Sequence, residues 1–319
     1  MKTNNMIDVS IVIVCMNNLK NLYPCLNSIR KYTRVSYETL VVAYLFSKEN
    51  LEKVKHDFPW VTFIESNEIR GFSENNNLAL RQAKGKYCFV LNDDTEMEMP
   101  VIDRLILSLE QTPGCSIISP ISYFPDRRLQ SCGRPRHTIL TWFLSSLCLY
   151  NEQKVKSKYT HGQGVFQTYN LVGAFFLMPT ELFRNLGWFD ERYFFCPEDI
   201  ALSTKANKLG YKLYVDADVS IIHKEGGTWS KTLTATQPTS LRGELIFYSK
   251  NNVTYLLLGI WAWLINAIKL LVFSVIYVIK PTEKSKIALK CKYHNICSIF
   301  THKSTKEIFI KYFTALKNK

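Results

Sequence analysis

The sequence has no glycine-rich phosphate loop, no paired-cysteine motif and no leader-like N-terminus. Each absence removes a class of protein. A dinucleotide-binding enzyme carries G-x-G-x-x-G directly after its first strand, and a P-loop enzyme carries G-x-x-x-x-G-K-[ST]. Here the first apolar run ends in Cys15-Met16-Asn17-Asn18, so any nucleotide diphosphate is not held mainly by a glycine-rich helix start. The nine cysteines include no C-x-x-C pair and no zinc-finger spacing. Their number is odd, and several sit inside apolar runs such as Val14-Cys15 and Cys88-Phe89. That is the pattern of reduced thiols used as small core residues in a cytosolic compartment. The first eight residues are polar, and the apolar run after them is too short and too poorly flanked for a signal peptide, so it reads as a strand.

What is present describes a globular chain. At 319 residues, 47% hydrophobic and 21% charged, it can bury a full core and exceed one domain. The net charge of +13 is uneven: from Lys280 to Lys319 ten lysines face only Glu283 and Glu307, which puts +8 in the last forty residues. Such a tail suits nucleic acid or an anionic membrane surface, and its neighbours must decide.

Strand and helix alternate through the first half. Val9 to Cys15 is β-branched almost throughout, as in a parallel strand buried on both faces. A helix with Leu22, Leu26 and Ile29 on one face follows, then a strand at 40–44, a helix opened by Ser47, a strand at 61–64 and a helix over 73–83. A fourth strand, Tyr87 to Leu91, runs into Asn92-Asp93-Asp94, and a helix over 101–111 and a strand at 116–119 come after it. The spacing predicts an α/β layer on a mostly parallel sheet. Further strands are expected at 171–178, with Gly173 inside it, at 211–215 and at 219–222.

Ligands of open α/β sheets bind at the carboxyl ends of the strands. Two acids there, with Asn92 beside them, suit a hard divalent cation that also holds phosphate oxygens. On these residues alone the stretch is equally a helix cap supplied by Asp94 or Thr95. A second acidic pair, Glu198-Asp199, opens a helical segment and also reads as a cap. His223 ends an apolar strand before Gly226-Gly227, a better position for a ligand than most lone histidines have.

Taken in order, these pieces resemble a family 2 glycosyltransferase of the GT-A fold, in the branch of bacterial rhamnosyltransferase-like enzymes. The resemblance runs from residue 9 to about residue 229. The strand ending in Asn17-Asn18 resembles the family's first nucleotide-contacting segment. Asn67 through Gly71-Phe72 and Asn75-Asn76-Asn77 resembles its N-x-G-F…N-N stretch, and Asn92-Asp93-Asp94 stands in the place of its D-x-D motif. Gly187 to Phe195 matches G-x-F-D-E-x-F-F, Glu198-Asp199 its E-D pair, and His223 with Gly226 its late metal or diphosphate contact.

The resemblance implies an α/β, Rossmann-like domain over 1–240 and single-sugar transfer, with inversion, from a UDP- or dTDP-sugar to a hydroxyl of a glycan or lipid-linked saccharide in cell-surface polysaccharide synthesis. It implies Mn2+ or Mg2+ on Asp94 and His223, and Asp199 as catalytic base with Glu198 orienting. The donor-binding set is Asn17, Asn18, Tyr44, Arg70, Gly71, Asn76, Asn92, Asp93 and Gly173. Three departures stand out. No acid follows the second strand, where Tyr44 becomes a stacking candidate; Asn92 replaces the first acid of D-x-D; and no Q-x-x-R-W is present, which speaks against a processive synthase.

Residues 253–279 are long and apolar enough to cross a bilayer core of about 30 Å. Asn266 and Lys269 near the middle are costly in a span, and Trp261, Trp263, Tyr255 and Tyr277 suit an interface. With the basic segment behind it, region 241–319 is expected to lie in or on an anionic membrane at its cytoplasmic face, and nucleic acid is disfavoured. A catalytically inactive, membrane-associated scaffold is the alternative function. A nucleotidyltransferase would want a basic, glycine-rich loop after the first strand.

Overall fold

The computed structural model describes residues 7–130, 133–151, 163–224 and 232–317. The chain divides into two compact units. One comprises Met1–Arg136, Glu152–Asp190 and Glu198–Glu225; the other comprises His137–Asn151, Glu191–Pro197 and Gly226–Lys319.

The first unit is an α/β layer. In chain order it has β1 (Val9–Cys15), α1 (Leu19–Tyr32), β2 (Tyr37–Tyr44), α2 (Lys48–Asp57), β3 (Thr62–Ser66), α3 (Phe72–Leu80), β4 (Tyr87–Asn92), β5 (Thr95–Met97), α4 (Val101–Gln111), β6 (Cys115–Tyr123) and β7 (Gly133–Arg134). Helix α5 (Ile139–Ser146) belongs to the second unit, and β8 (Val165–Thr168), β9 (Asn170–Leu171), β10 (Phe175–Pro179), α6 (Thr180–Asn185), α7 (Glu198–Lys208) and β11 (Lys212–His223) complete the first. The large sheet runs β3-β2-β1-β4-β10-β6-β11-β5, with β8 also on β11, and β7 pairs β9 apart from it.

Strands β1 to β4 are parallel, so their carboxyl ends lie in a row: Cys15 pairs Ala43, Val14 pairs Asn92 and Tyr44 pairs Ser66. Their β-branched and aromatic side chains form the core with α1 and α4, whose apolar faces (Leu22, Leu26 and Ile29; Ile102, Leu105 and Ile106) are buried. Ser47 caps α2 by accepting from Asn50 N at 3.2 Å, as its sequence position predicts.

The sheet is more mixed than the alternation suggests. Strand β10 enters antiparallel between β4 and β6. The run expected as one strand over 171–178 breaks at 172–174, leaving β9 and β10 separate. Conversely, the two strands expected at 211–215 and 219–222 are one, β11, whose register shifts between Asp216 and Ser220. The cause is Asp216, a buried carboxylate that accepts from Ser108 Oγ at 2.5 Å and from Asp218 N at 3.0 Å. Satisfying that charge bends the strand, and its last residues then pair β5.

One side chain ties the N-x-G-F…N-N stretch to the G-x-F-D-E stretch. Asn77 is fully buried; its Nδ2 donates to Phe189 O at 2.9 Å and its Oδ1 accepts from Phe189 N at 3.1 Å.

The second unit is helical: α5, α8 (Leu233–Tyr248), α9 (Asn252–Ile279), α10 (Glu283–Ile299) and α11 (Thr305–Lys317). Glycine at 259 lets α10 approach α9, since a Cβ there would meet the Phe300 ring at 2.8 Å.

Candidate active site

The turn from β4 to β5 is pinned from three directions. Asn92 N donates to Ala174 O at 2.8 Å, Thr95 Oγ1 donates to Asn92 O at 2.7 Å, and Lys224 N donates to Asp94 O at 3.0 Å. These bonds fix Asp93 and Asp94 at the carboxyl end of the central strand. The pairing of Thr95 with His223 brings the end of β11 alongside, and His223 Nε2 lies 3.3 Å from Asp94 Oδ1.

That contact lacks hydrogen-bond geometry: Asp94 Oδ1 is buried and accepts no hydrogen bond. The other ring nitrogen is held by a glutamine. His223 Nδ1 is 3.1 Å from Gln130 Oε1, which also accepts from Ser122 Oγ at 2.8 Å, while Gln130 Nε2 donates to His223 O at 3.1 Å. With Gln130 Oε1 acting as acceptor, Nδ1 is the donor and Nε2 faces the Asp94 carboxylate oxygen. A buried carboxylate oxygen with no hydrogen bond, beside an imidazole nitrogen, is a setting for a cation. A divalent ion held by one carboxylate and one imidazole, with its other positions left to phosphate oxygens and water, fits this pair. Among the described residues no cluster of three or more acidic, His or Cys ligands exists, so the protein alone would not complete the shell. Asp93, half-buried next door, has its carboxyl pushed up to about 7 by burial, with the charge of Asp94 adding to the effect.

The second acid is reached through the same turn. Ala174, which receives Asn92 N, follows Gly173, and Gly173 N donates to Asp199 Oδ2 at 3.3 Å. Asp199 sits in the first turn of α7, 13% exposed, with Oδ1 accepting from Ile200 N at 2.7 Å. Arg134 Nη1 reaches Oδ2 at 3.4 Å from β7. A Cβ on residue 173 would lie 3.1 Å from Asp199 Cβ, so glycine is what lets the two segments approach. Glu198, its neighbour in the same turn, is buried.

The remaining expected residues lie along the ends of β1 to β3. Asn17, in the left-handed region at φ 48°, accepts through Oδ1 from Asn50 Nδ2 at 2.9 Å and from Ser47 N at 3.4 Å. Asn18 is exposed at the head of α1. Arg70 Nη1 donates to Ser66 Oγ at 3.1 Å, and its other arm pairs with Glu68 at 2.9 Å. Gly71 N donates to Glu74 Oε2 at 3.0 Å at the start of α3. Tyr44 is only 7% exposed, and its hydroxyl accepts from Arg70 N at 3.3 Å, which leaves little ring surface for a base to stack on. Asn76 is buried and donates to Phe72 O at 2.9 Å, so its amide serves α3 and faces no open site. Gly226 lies outside the described residues.

The sequence of the family described as Glycosyl transferase family 2 matches residues 10–187, more than half of the chain. The chain belongs to glycosyltransferase family 2. Over 155 residues it is 27% identical to the O-antigen biosynthesis protein RfbC of Myxococcus xanthus, an alignment covering 48% of this chain and 12% of that protein. It therefore spans only about an eighth of that relative's length. Two solved structures share the fold. GalNAc-T7 with UDP, GalNAc and Mn2+ superposes with a TM-score of 0.53 at 17% identity, covering 69% of this chain and 44% of that one. The mannosyltransferase PcManGT of Pyrobaculum calidifontis with GDP-Man and Mn2+ gives 0.51 at 16% identity, covering 98% and 80%. The family 2 domain here is thus α/β and GT-A-like.

Two residues of this family 2 site escape sequence reasoning. Gln130 and Arg134 both lie in the loosely patterned stretch after β6, and they reach His223 and Asp199 across 93 and 65 residues of chain. No local spacing links them to their partners.

Proposed function

We propose that this family 2 domain transfers one sugar, with inversion, from a nucleotide-diphosphate sugar to a hydroxyl of a glycan or lipid-linked saccharide in surface polysaccharide synthesis. The carrying observation is the chain of contacts that joins Asp199, through Gly173 and Ala174, to the Asp94–His223 pair. It supports reading Asp199 as a carboxylate base and the Asp94–His223 pair as an anion-stabilising centre, linked through the 173–174 backbone.

The diphosphate of the donor lies over the carboxyl ends of β1, β2 and β4. Neighbouring strands are about 4.8 Å apart, so the Tyr44 and Asp94 strand ends are separated by about 10 Å, a span suited to a nucleoside diphosphate. Asn17, Asn18 and Arg70 serve the nucleoside end, with Tyr44 holding the Arg70 backbone and Gly71 opening α3 beside it. Asn92 and Asp93 flank the phosphates. Asp94 and His223 would hold Mn2+ or Mg2+, which when bound neutralises charge on the leaving diphosphate. Asp199 accepts the proton of the acceptor hydroxyl as that oxygen attacks the anomeric carbon from the face opposite the leaving group. The parallel with inverting hydrolysis is direct, a sugar hydroxyl standing where water would. Arg134 and Gly173 N hold the Asp199 carboxylate in one orientation, and Glu198 orients the acceptor or the base. UDP- and dTDP-sugars are the preferred donors, and the +8 carried by the last forty residues supports a reaction at the cytoplasmic face of the membrane.

A nucleotide-release assay on a panel of UDP-, dTDP- and GDP-sugars, with Mn2+, Mg2+ or chelator and a membrane extract as acceptor source, tests this reading. Release of one nucleotide class is expected to require the ion. It should fall by roughly 10²–10⁴-fold in both Asp94→Asn and Asp199→Asn, the scale of a lost general base or electrostatic centre. Silence across the panel, with no nucleotide heat in calorimetry, would favour an inactive scaffold.

A further inference from the structure

Helix α9 has an unusual distribution of polarity. Its 28 residues extend about 42 Å at 1.5 Å per residue, more than a bilayer core requires, and composition alone would permit crossing. Leu257, Leu264, Ile268, Leu271, Val275 and Val278 recur at helical spacing along one face, and all are exposed, Val278 to 80%. The polar groups point elsewhere. Asn266 Oδ1 accepts from Asn295 Nδ2 at 2.9 Å, and Lys269, the one charged residue of α9, donates through Nζ to Ser146 O at 3.0 Å.

The geometry points to one occupant for that face: we propose that α9 lies flat in the headgroup–acyl boundary of one leaflet of an anionic bilayer, with its outward face in lipid, and does not cross it. The argument turns on α10. After a short link at 280–282, α10 runs back along α9. Asn295 meets Asn266, Tyr255 Oη donates to Ile299 O at 2.7 Å, and Gly259 faces Phe300. α10 therefore accompanies α9 from its last turn to its first. Were α9 upright, Lys284, Lys286 and Lys290 of α10 would be carried to successive depths of the hydrocarbon, where ammonium groups are expelled. Laid flat, the pair behaves as an interfacial amphipathic unit, apolar on the α9 face and basic behind it.

Charge complementarity selects lipid over another apolar partner. The last forty residues carry +8. Packed helices sit about 8–10 Å apart, close to one Debye length in physiological salt, so the α10 lysines still feel an anionic leaflet. Helix α5 widens the apolar surface. Phe143 stacks on Trp261 with ring centroids 4.2 Å apart, Trp261 Nε1 donates to Ser146 Oγ at 2.9 Å, and Leu140 and Leu149 are left largely exposed.

This inference deepens the membrane location proposed above and does not rest on the transfer chemistry. The full chain is tested by flotation with phosphatidylcholine vesicles, with and without phosphatidylserine. Binding is expected to require phosphatidylserine, to weaken with salt, and to fall about tenfold or more in L264D/I268D, which removes two leucine-sized burials. Leu107→Asp, an exposed apolar site on α4, should bind as the parent does.

Depth is read separately, on Val253→Cys, Leu264→Cys and Val278→Cys, each labelled with a fluorophore in a Cys148→Ser, Cys297→Ser background and quenched by brominated lipids. Equal, shallow depths support the flat seat. A deep Leu264 label with the end labels in opposite leaflets overturns it. So does a chain that ignores all vesicles but forms a dimer lost in L264D/I268D. A chain that floats but releases no nucleotide keeps this inference and removes the transferase reading; transfer without vesicle binding does the reverse.

Discussion

At the residue scale the site is governed by which atom carries a proton. Gln130 decides this for His223: its Oε1 takes the Nδ1 hydrogen, and its amide nitrogen is committed to His223 O. Removing that amide frees the ring to turn and lets either tautomer form. Gln130→Leu is therefore expected to weaken Mn2+ binding by about 10–100-fold, the usual effect of losing a partner behind a metal-binding histidine. Titration followed by the paramagnetic resonance of free Mn2+ measures this without any turnover. Unchanged affinity would remove Gln130 from the site. Arg134 has the same relation to Asp199, as a cation that keeps a carboxylate aimed.

At the element scale the fold depends on a few buried polar ties between segments distant in sequence. Asn77 is the clearest. Both bonds of its amide go to the Phe189 backbone, and the contact is sealed from water by Phe72, whose ring meets Phe189 edge-on at 5.6 Å. Asn77→Ala leaves a buried N–H and C=O without partners, and is expected to cost about 2–4 kcal/mol in urea unfolding. Asn76, which the family resemblance puts in the donor-binding set, spends its amide on Phe72 O as its neighbour Asn77 does on Phe189 O, so both serve the scaffold. Their burial, unlike their spacing, separates the two roles.

At the scale of the whole molecule, charge sets the conditions under which the chain is stable. The net +13 favours anionic surfaces. Against it stands Glu244, half-buried in the helical unit, accepting from Trp142 Nε1 at 2.8 Å and with its carboxyl pushed up by burial. For an acid whose folded value is raised, ionisation opposes folding. The penalty is absent below the ordinary carboxylate range, grows as pH rises through the raised value, and is complete above it. Glu244→Gln keeps the acceptor for Trp142 and removes the charge, so its melting temperature should exceed the parent's at pH 8 and match it near pH 4. A difference independent of pH would show that packing, and not charge burial, is the cause.

Much of this protein is determined by local pattern. The β-branched run of Val9 to Cys15, the strand that empties into Asn92-Asp93-Asp94 and the opening of α2 by Ser47 are legible because periodicity, caps and turn residues act over a few positions. The long apolar helix is legible for the same reason. Other features exist only once distant segments meet. The antiparallel entry of β10, the bend that Asp216 imposes on β11, and the approach of Gln130 to His223 and Arg134 to Asp199 follow from satisfying buried polar groups at long range. No neighbouring residue encodes that requirement, so the sequence named the acids while tertiary packing decided what holds them.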